Sequence, residues 1–150
     1  MKHLLLMLAL MAPQMVMARI GETLEQCNER YGEAIKLDKE GVQAFAIYAK
    51  GDFKVRAAFI SGVCHALTFE RKDGREINDA TLDLLLAKNS KFKLLSDGLS
   101  KKSWVCNYGA MPSVAFYNKI EHLLTITSNA WLAFMEKEQT NDAVKTTDGF

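Results

Sequence analysis

The side chains best suited to covalent chemistry are Cys64 and His65, adjacent in Val63-Cys64-His65-Ala66, with His122 as a second imidazole that could act as base. A thiol nucleophile needs a base within hydrogen-bond reach, or another device that lowers its pKa. Adjacency supplies neither. The segment reads as a strand, and successive strand residues point to opposite faces, so Cys64 and His65 project apart, with His65 on the side of Val63 and Leu67. Cys64 also lacks the helix N-terminus that commonly makes a thiol reactive. No catalytic residue is assigned. A cysteine-dependent hydrolase or redox protein built on Cys64 or Cys106 stands as the alternative to the binding role developed below.

Metal and phosphate chemistry find no purchase in the spacing. Cys27, Cys64, His65, Cys106 and His122 show none of the close pairs that mark zinc sites, and no glycine-rich phosphate loop is present. No cofactor is expected. Glu22 with Glu25, and Asp79 with Asp83, fall near helix starts, where carboxylates meet the helix dipole favourably and face solvent. Lys88, Lys91, Lys93, Lys101 and Lys102 form the one local charge bias, with Asp97 against them; they read equally as a steering patch or a solubilising loop.

What must position these groups begins with an apolar leader. Lys2 and His3 precede the run Leu4 to Met11, Pro13 breaks it, and Val16-Met17-Ala18 leaves small or modest side chains for cleavage after Ala18. The run is shorter than the roughly 20 apolar residues a bilayer-spanning helix needs. No cysteine follows the cleavage box directly, so the mature product is expected to be soluble, unanchored, and periplasmic or secreted. Loss of Lys2 reduces 19 basic side chains to 18, against 18 acidic, which makes nucleic acid an improbable partner. With 49% apolar and 25% charged residues, the remaining length suits one domain from residue 19 to 138, followed by a polar tail over 139–150. Export also places three cysteines in an oxidising compartment. Cys27 falls on the core side of an amphipathic helix, so the expected bridge joins Cys64 to Cys106, with three reduced thiols as the alternative.

Thr23 with Gln26 forms a capping-box pattern ahead of Leu24, Cys27 and Tyr31, and Gly32 closes that helix. Strands are expected over Ala34 to Leu37, Val42 to Ala49, and then Phe53 to Phe59, where Phe53, Val55, Ala57 and Phe59 alternate with Lys54, Arg56 and Ala58. Ser61-Gly62 turns the chain into a further strand through Phe69, with Cys64, Ala66 and Thr68 on its other side. Asn78 caps a second helix carrying Leu82, Leu85 and Leu86, and a loop is expected from Lys91 to Lys102. Trp104 to Tyr108, Val114 to Tyr117 and His122 to Thr127 read as strands, and Ser128 opens a third helix with Trp131, Phe134 and Met135 on one face. The fold class is α+β, an antiparallel sheet with helices packed on one face.

The stretch Gly21-Glu22-Thr23-Leu24-Glu25-Gln26-Cys27-Asn28-Glu29-Arg30-Tyr31-Gly32 resembles the opening of the SmpA/OmlA outer-membrane assembly lipoproteins, where a G-x-T cap precedes a short helix ending in a large residue and glycine. That family has a proline where Ala34 stands and an aliphatic residue where Cys27 stands. Phe53 to Leu67 resembles the same family's paired strands, so the likeness covers roughly Arg19 to Phe69. Ile77 to Thr127 repeats the helix-then-strands order, similar to the tandem arrangement of beta-lactamase inhibitor proteins. These resemblances imply a protein-protein role.

The reading is therefore an exported protein-binding or inhibitor module working through the sheet face that the helices leave open. Alternation assigns Lys54, Arg56 and Thr68 to that face, and Trp104, Tyr108 and Tyr117 are candidate aromatic anchors whose competing role is core packing. The expected partner is another exported or envelope protein, with no integral membrane segment once the leader is removed.

Overall fold

Short turns at glycine set the rhythm of the chain. Ser61 and Gly62 both hold positive φ, 50° and 82°, the geometry that matches a two-residue turn to the twist of its flanking strands. A computed structural model describes residues 19–107, 109 and 111–147, with side chains described as far as 141. Its order is α1 (Leu24–Tyr31), β1 (Lys36–Glu40), β2 (Gln43–Lys50), β3 (Phe53–Ile60), β4 (Val63–Arg71), α2 (Asp79–Asn89), β5 (Lys93–Asp97), β6 (Lys101–Cys106), β7 (Ser113–Asn118), β8 (Leu123–Ser128) and α3 (Asn129–Thr147). The expected leader and Tyr108 lie outside the described residues.

The eight strands among the described residues form one antiparallel sheet, ordered β1-β2-β3-β4-β8-β7-β6-β5. The chain thus lays down a helix and four strands twice, and the last strand of each set meets the other at the centre. The α+β class and the repeated order are present, with more strands than expected in the second unit. Lys91 to Lys102 is not a continuous loop: it contains β5 and the start of β6. At the other end, α3 continues through Gln139, where the sequence pattern placed a tail, to Thr147.

The helix starts follow from their caps. Thr23 Oγ1 accepts the Gln26 N–H while Gln26 Oε1 accepts the Thr23 N–H, a complete capping box, and Asn78 Oδ1 accepts the Thr81 N–H. Each helix then presents a few apolar side chains to one face of the sheet: Cys27 and Tyr31 from α1, and Leu82, Leu85 and Leu86 from α2. Residues directly paired in an antiparallel sheet share a face. One such row runs Tyr48, Val55, Phe69, Leu124 and Tyr117, and its neighbour runs Ala46, Ala57, Leu67, Ile126, Ala115 and Trp104. These two rows and the two helices make the core.

One departure from strict alternation changes the chemistry. Ala58 pairs with Ala66, but Phe59 pairs with Cys64, so His65 is an extra residue in β4, a β-bulge. The bulge reverses the alternation, and Cys64 faces the core beside Leu67 rather than projecting with Thr68 to the other side.

Candidate functional site

On the face away from α1 and α2, three adjacent rows of side chains bear on the site. The first, Phe45, Ala58, Ala66 and Thr127, lies beneath α3. Trp131 of α3 meets the Phe45 ring edge-on at 6.1 Å between centroids, and Phe134 stacks on Trp131. Ala58, Ala66 and Thr127 are consequently buried. This cover was not expected, since all the helices were assigned to one side. The apolar stripe of α3 was evident, but a stripe does not specify which sheet face it meets.

The next two rows escape that cover. Arg56, Thr68, Thr125 and Phe116 pair in series across β3, β4, β8 and β7, and alongside them run Lys54, Glu70, Leu123, Asn118 and Lys101. Lys54, Arg56 and Thr68 thus share one face, as alternation requires. The Glu70 carboxylate accepts a hydrogen bond from Arg56 Nη2 at 2.9 Å and lies 3.9 Å from Lys54 Nζ. The Thr68 and Thr125 hydroxyls meet at 3.4 Å, and the Lys101 ammonium sits 4.9 Å from the centre of the Phe116 ring. Lys54 and Arg56 flank the Glu70 carboxylate and Lys101 stands at the far end of its row, so these two rows carry three cations against one carboxylate. The Arg56 side chain remains 48% exposed, and ion pairs this open contribute roughly 0–1 kcal/mol.

Other expected anchors lie elsewhere. Trp104 is only 7% exposed and packs in the core beneath the helices, on the face opposite Arg56. Tyr117 is buried on that same side, its hydroxyl accepting the Ile77 N–H at 2.9 Å. Both aromatics are core residues because their rows face α2; nothing is described of Tyr108.

The expected Cys64–Cys106 bridge is not formed, and the topology explains why. Between β4 and β6 lie β8 and β7, three interstrand steps of about 4.8 Å, whereas bridged alpha carbons stay within about 7 Å. Cys106 Sγ lies 3.0 Å from Ser90 Oγ. The Cys64 thiol instead donates to the Ala66 carbonyl at 3.6 Å, and the neighbouring Cys27 side chain together with burial pushes the Cys64 pKa well above its ordinary value. Such a thiol is the opposite of an activated nucleophile.

Two groups emerge that sequence reasoning did not find. His65 Nδ1 lies 2.9 Å from Ser128 Oγ, and the same hydroxyl oxygen accepts the Trp131 N–H at 3.1 Å, so Ser128 caps α3 while holding the bulged histidine. Burial lowers the His65 pKa. The second group is a cleft of about 470 Å³ between the start of α1, the end of α2 and the segment joining β6 to β7, with Glu22, Gln26, Ser90, Phe92 and Met111 in its walls. Only the Ser128 cap had a sequence signal, a serine one residue before an apolar helix.

No family model matches the chain. No curated protein matches it. Solved structures similar to it include a cysteine-rich secretory protein from Staphylococcus aureus subsp. aureus Mu50, at 8% identity and TM-score 0.45, covering 76% of this chain and 44% of that one, and an extracellular protein containing a SCP domain from Bacillus anthracis str. Ames, at 12% identity and TM-score 0.43, covering 76% of this chain and 45% of that one. The match thus spans less than half the length of either of those proteins.

Proposed function

We propose that this chain is an exported binding module that takes a protein partner bearing an acidic patch on the strip of sheet beside α3. The observation that carries the reading is the change from one row of paired residues to the next: Ala58, Ala66 and Thr127 are closed off by α3, while Arg56, Thr68 and Phe116 one row away are not fully covered. A strip that combines Lys54, Arg56 and Lys101 with the Phe116 ring and two threonine hydroxyls offers charge to select a partner and flat area to hold it. Export rests on the leader pattern of residues 1–18, and the other envelope or secreted proteins of the same compartment are the partners in reach. The buried, raised Cys64 thiol speaks for this reading over a cysteine-dependent hydrolase.

The test is site-specific photocrosslinking in the exported fraction, with the reactive residue at Thr68 or, as control, at the exposed Leu84 of α2. A discrete protein adduct at Thr68, absent at Leu84 and lost with Arg56→Glu, is expected. Equal labelling at the two positions, or an adduct indifferent to Arg56→Glu, overturns the proposal.

A further inference from the structure

We propose that Cys27 and Cys64 join as a disulfide that staples α1 to β4. Backbone pairing brings their chain segments together. Thr23 bridges to Val63, the Gly21 N–H donates to the Cys64 carbonyl at 2.8 Å, and the Cys64 N–H donates to the Glu22 carbonyl at 2.7 Å, so the lead-in to α1 runs as a short extra strand against the start of β4. Cys27 stands one turn beyond Thr23, with its N–H donating to the Thr23 carbonyl at 3.0 Å. Helical side chains lean toward the helix N-terminus, which aims the Cys27 thiol back at β4. The β-bulge at His65 completes the pairing by turning Cys64 inward, and both cysteines are fully buried at 0% exposure. Cys106, across two intervening strands, is not a competitor.

The oxidant belongs to the class of small-molecule or protein disulfides. With oxidised glutathione, one protein thiolate attacks a glutathione sulfur, forming a mixed disulfide and releasing one glutathione thiolate. The second protein thiolate then attacks the protein sulfur of that mixed disulfide, forms the Cys27–Cys64 bond and displaces the second glutathione. The two protons lost by the cysteines end on two reduced glutathiones, and the protein dithiol is oxidised by two electrons. Because both sulfurs are sealed from solvent in the native fold, exchange takes place while α1 is undocked, during folding, and the finished bridge is then shielded from reductant. Its place is also next to the cleft, since Gly21, Glu22 and Gln26 of the stapled segment form one of the walls.

The full chain is unfolded in urea, refolded in a glutathione redox buffer, and digested without reduction after alkylation under denaturing conditions. A linked peptide pair containing Cys27 and Cys64, with Cys106 alone alkylated, is expected. Closing the loop from residue 27 to 64 is expected to raise Tm by about 10 °C over the reduced protein. The Cys106→Ala variant keeps this redox-dependent shift, and Cys27→Ala with Cys64→Ala abolishes it. Three alkylated cysteines after oxidative refolding, or a bridge that includes Cys106, overturns the proposal. The readout is indifferent to the partner-binding strip, so either conclusion stands or falls without the other.

Discussion

The hydroxyl of Tyr117 accepts a hydrogen bond from the backbone N–H of Ile77 at 2.9 Å, across 40 residues of sequence. Ile77 is the residue before the Asn78 cap, so this bond ties the entry of α2 to β7. Both groups are buried. Removing the acceptor strands a buried N–H, which costs more than the bond itself contributes. Tyr117→Phe is expected to destabilise the protein by about 1–3 kcal/mol in urea titration, with unchanged slope. A change below the error of the titration would show that the N–H finds another acceptor.

The cover over the far face depends on Trp131. Its edge-on contact with Phe45 adds about 0.5–1.5 kcal/mol beyond the area it buries. Trp131→Ala is expected to cost about 2 kcal/mol and to speed amide exchange in residues 129–141 selectively, while α1 and α2 stay protected. Uniform loss of protection would mean that α3 belongs to the global core rather than to a separable lid on one row of residues.

The His65–Ser128 pair predicts a pH response of defined sign. Burial holds the folded His65 pKa below the ordinary value of 6.5. The unfolded chain therefore binds this proton more tightly, so the contribution is fully present above about pH 6.5 and is lost as pH falls through the depressed folded value. Tm is expected to decline between pH 7 and 5, and the decline to be shallower in His65→Gln. Asp73 and Asp97, held down by hydrogen bonds from Arg71 and Lys119, add their own losses only below about pH 4, outside that window. A variant whose profile parallels the parent chain from pH 7 to 5 would remove His65 from the explanation.

Much of this architecture is legible in the residues that start and turn elements. Thr23 with Gln26, Asn78, and Ser61-Gly62 act through local hydrogen bonds or backbone geometry, which a sequence displays directly. The alternation of Val55, Ala57 and Phe59 with Lys54 and Arg56 likewise sorted one strand between two faces. His65 defeated the same logic in the next strand, because one inserted residue reverses the alternation without any marker in Val63-Cys64-His65-Ala66. β5 escaped notice for a different reason: every residue of this edge strand is exposed, so burial imposes no pattern on Lys93-Leu94-Leu95-Ser96-Asp97. The apolar stripe of Trp131 and Phe134 was visible, but which side of the sheet it would meet depends on the reversal of direction after β8. Alternation therefore put Lys54, Arg56 and Thr68 on the face they occupy, whereas the Trp104 side chain lies on the opposite, core face.

The junction of β4 with β8 concentrates the distant contacts of the sheet in one seam. Thr68 meets Thr125 there across 57 residues, whereas the other strand pairs join neighbours in sequence. Each half can zip up from its own hairpins on a fast timescale, and the slow event is then the meeting of two preformed halves. A polypeptide arranged this way is exposed to exchange between copies during that interval, when the β4 border of one molecule can capture the β8 border of another, and a brief folding pulse at high concentration would reveal itself as domain-swapped dimers.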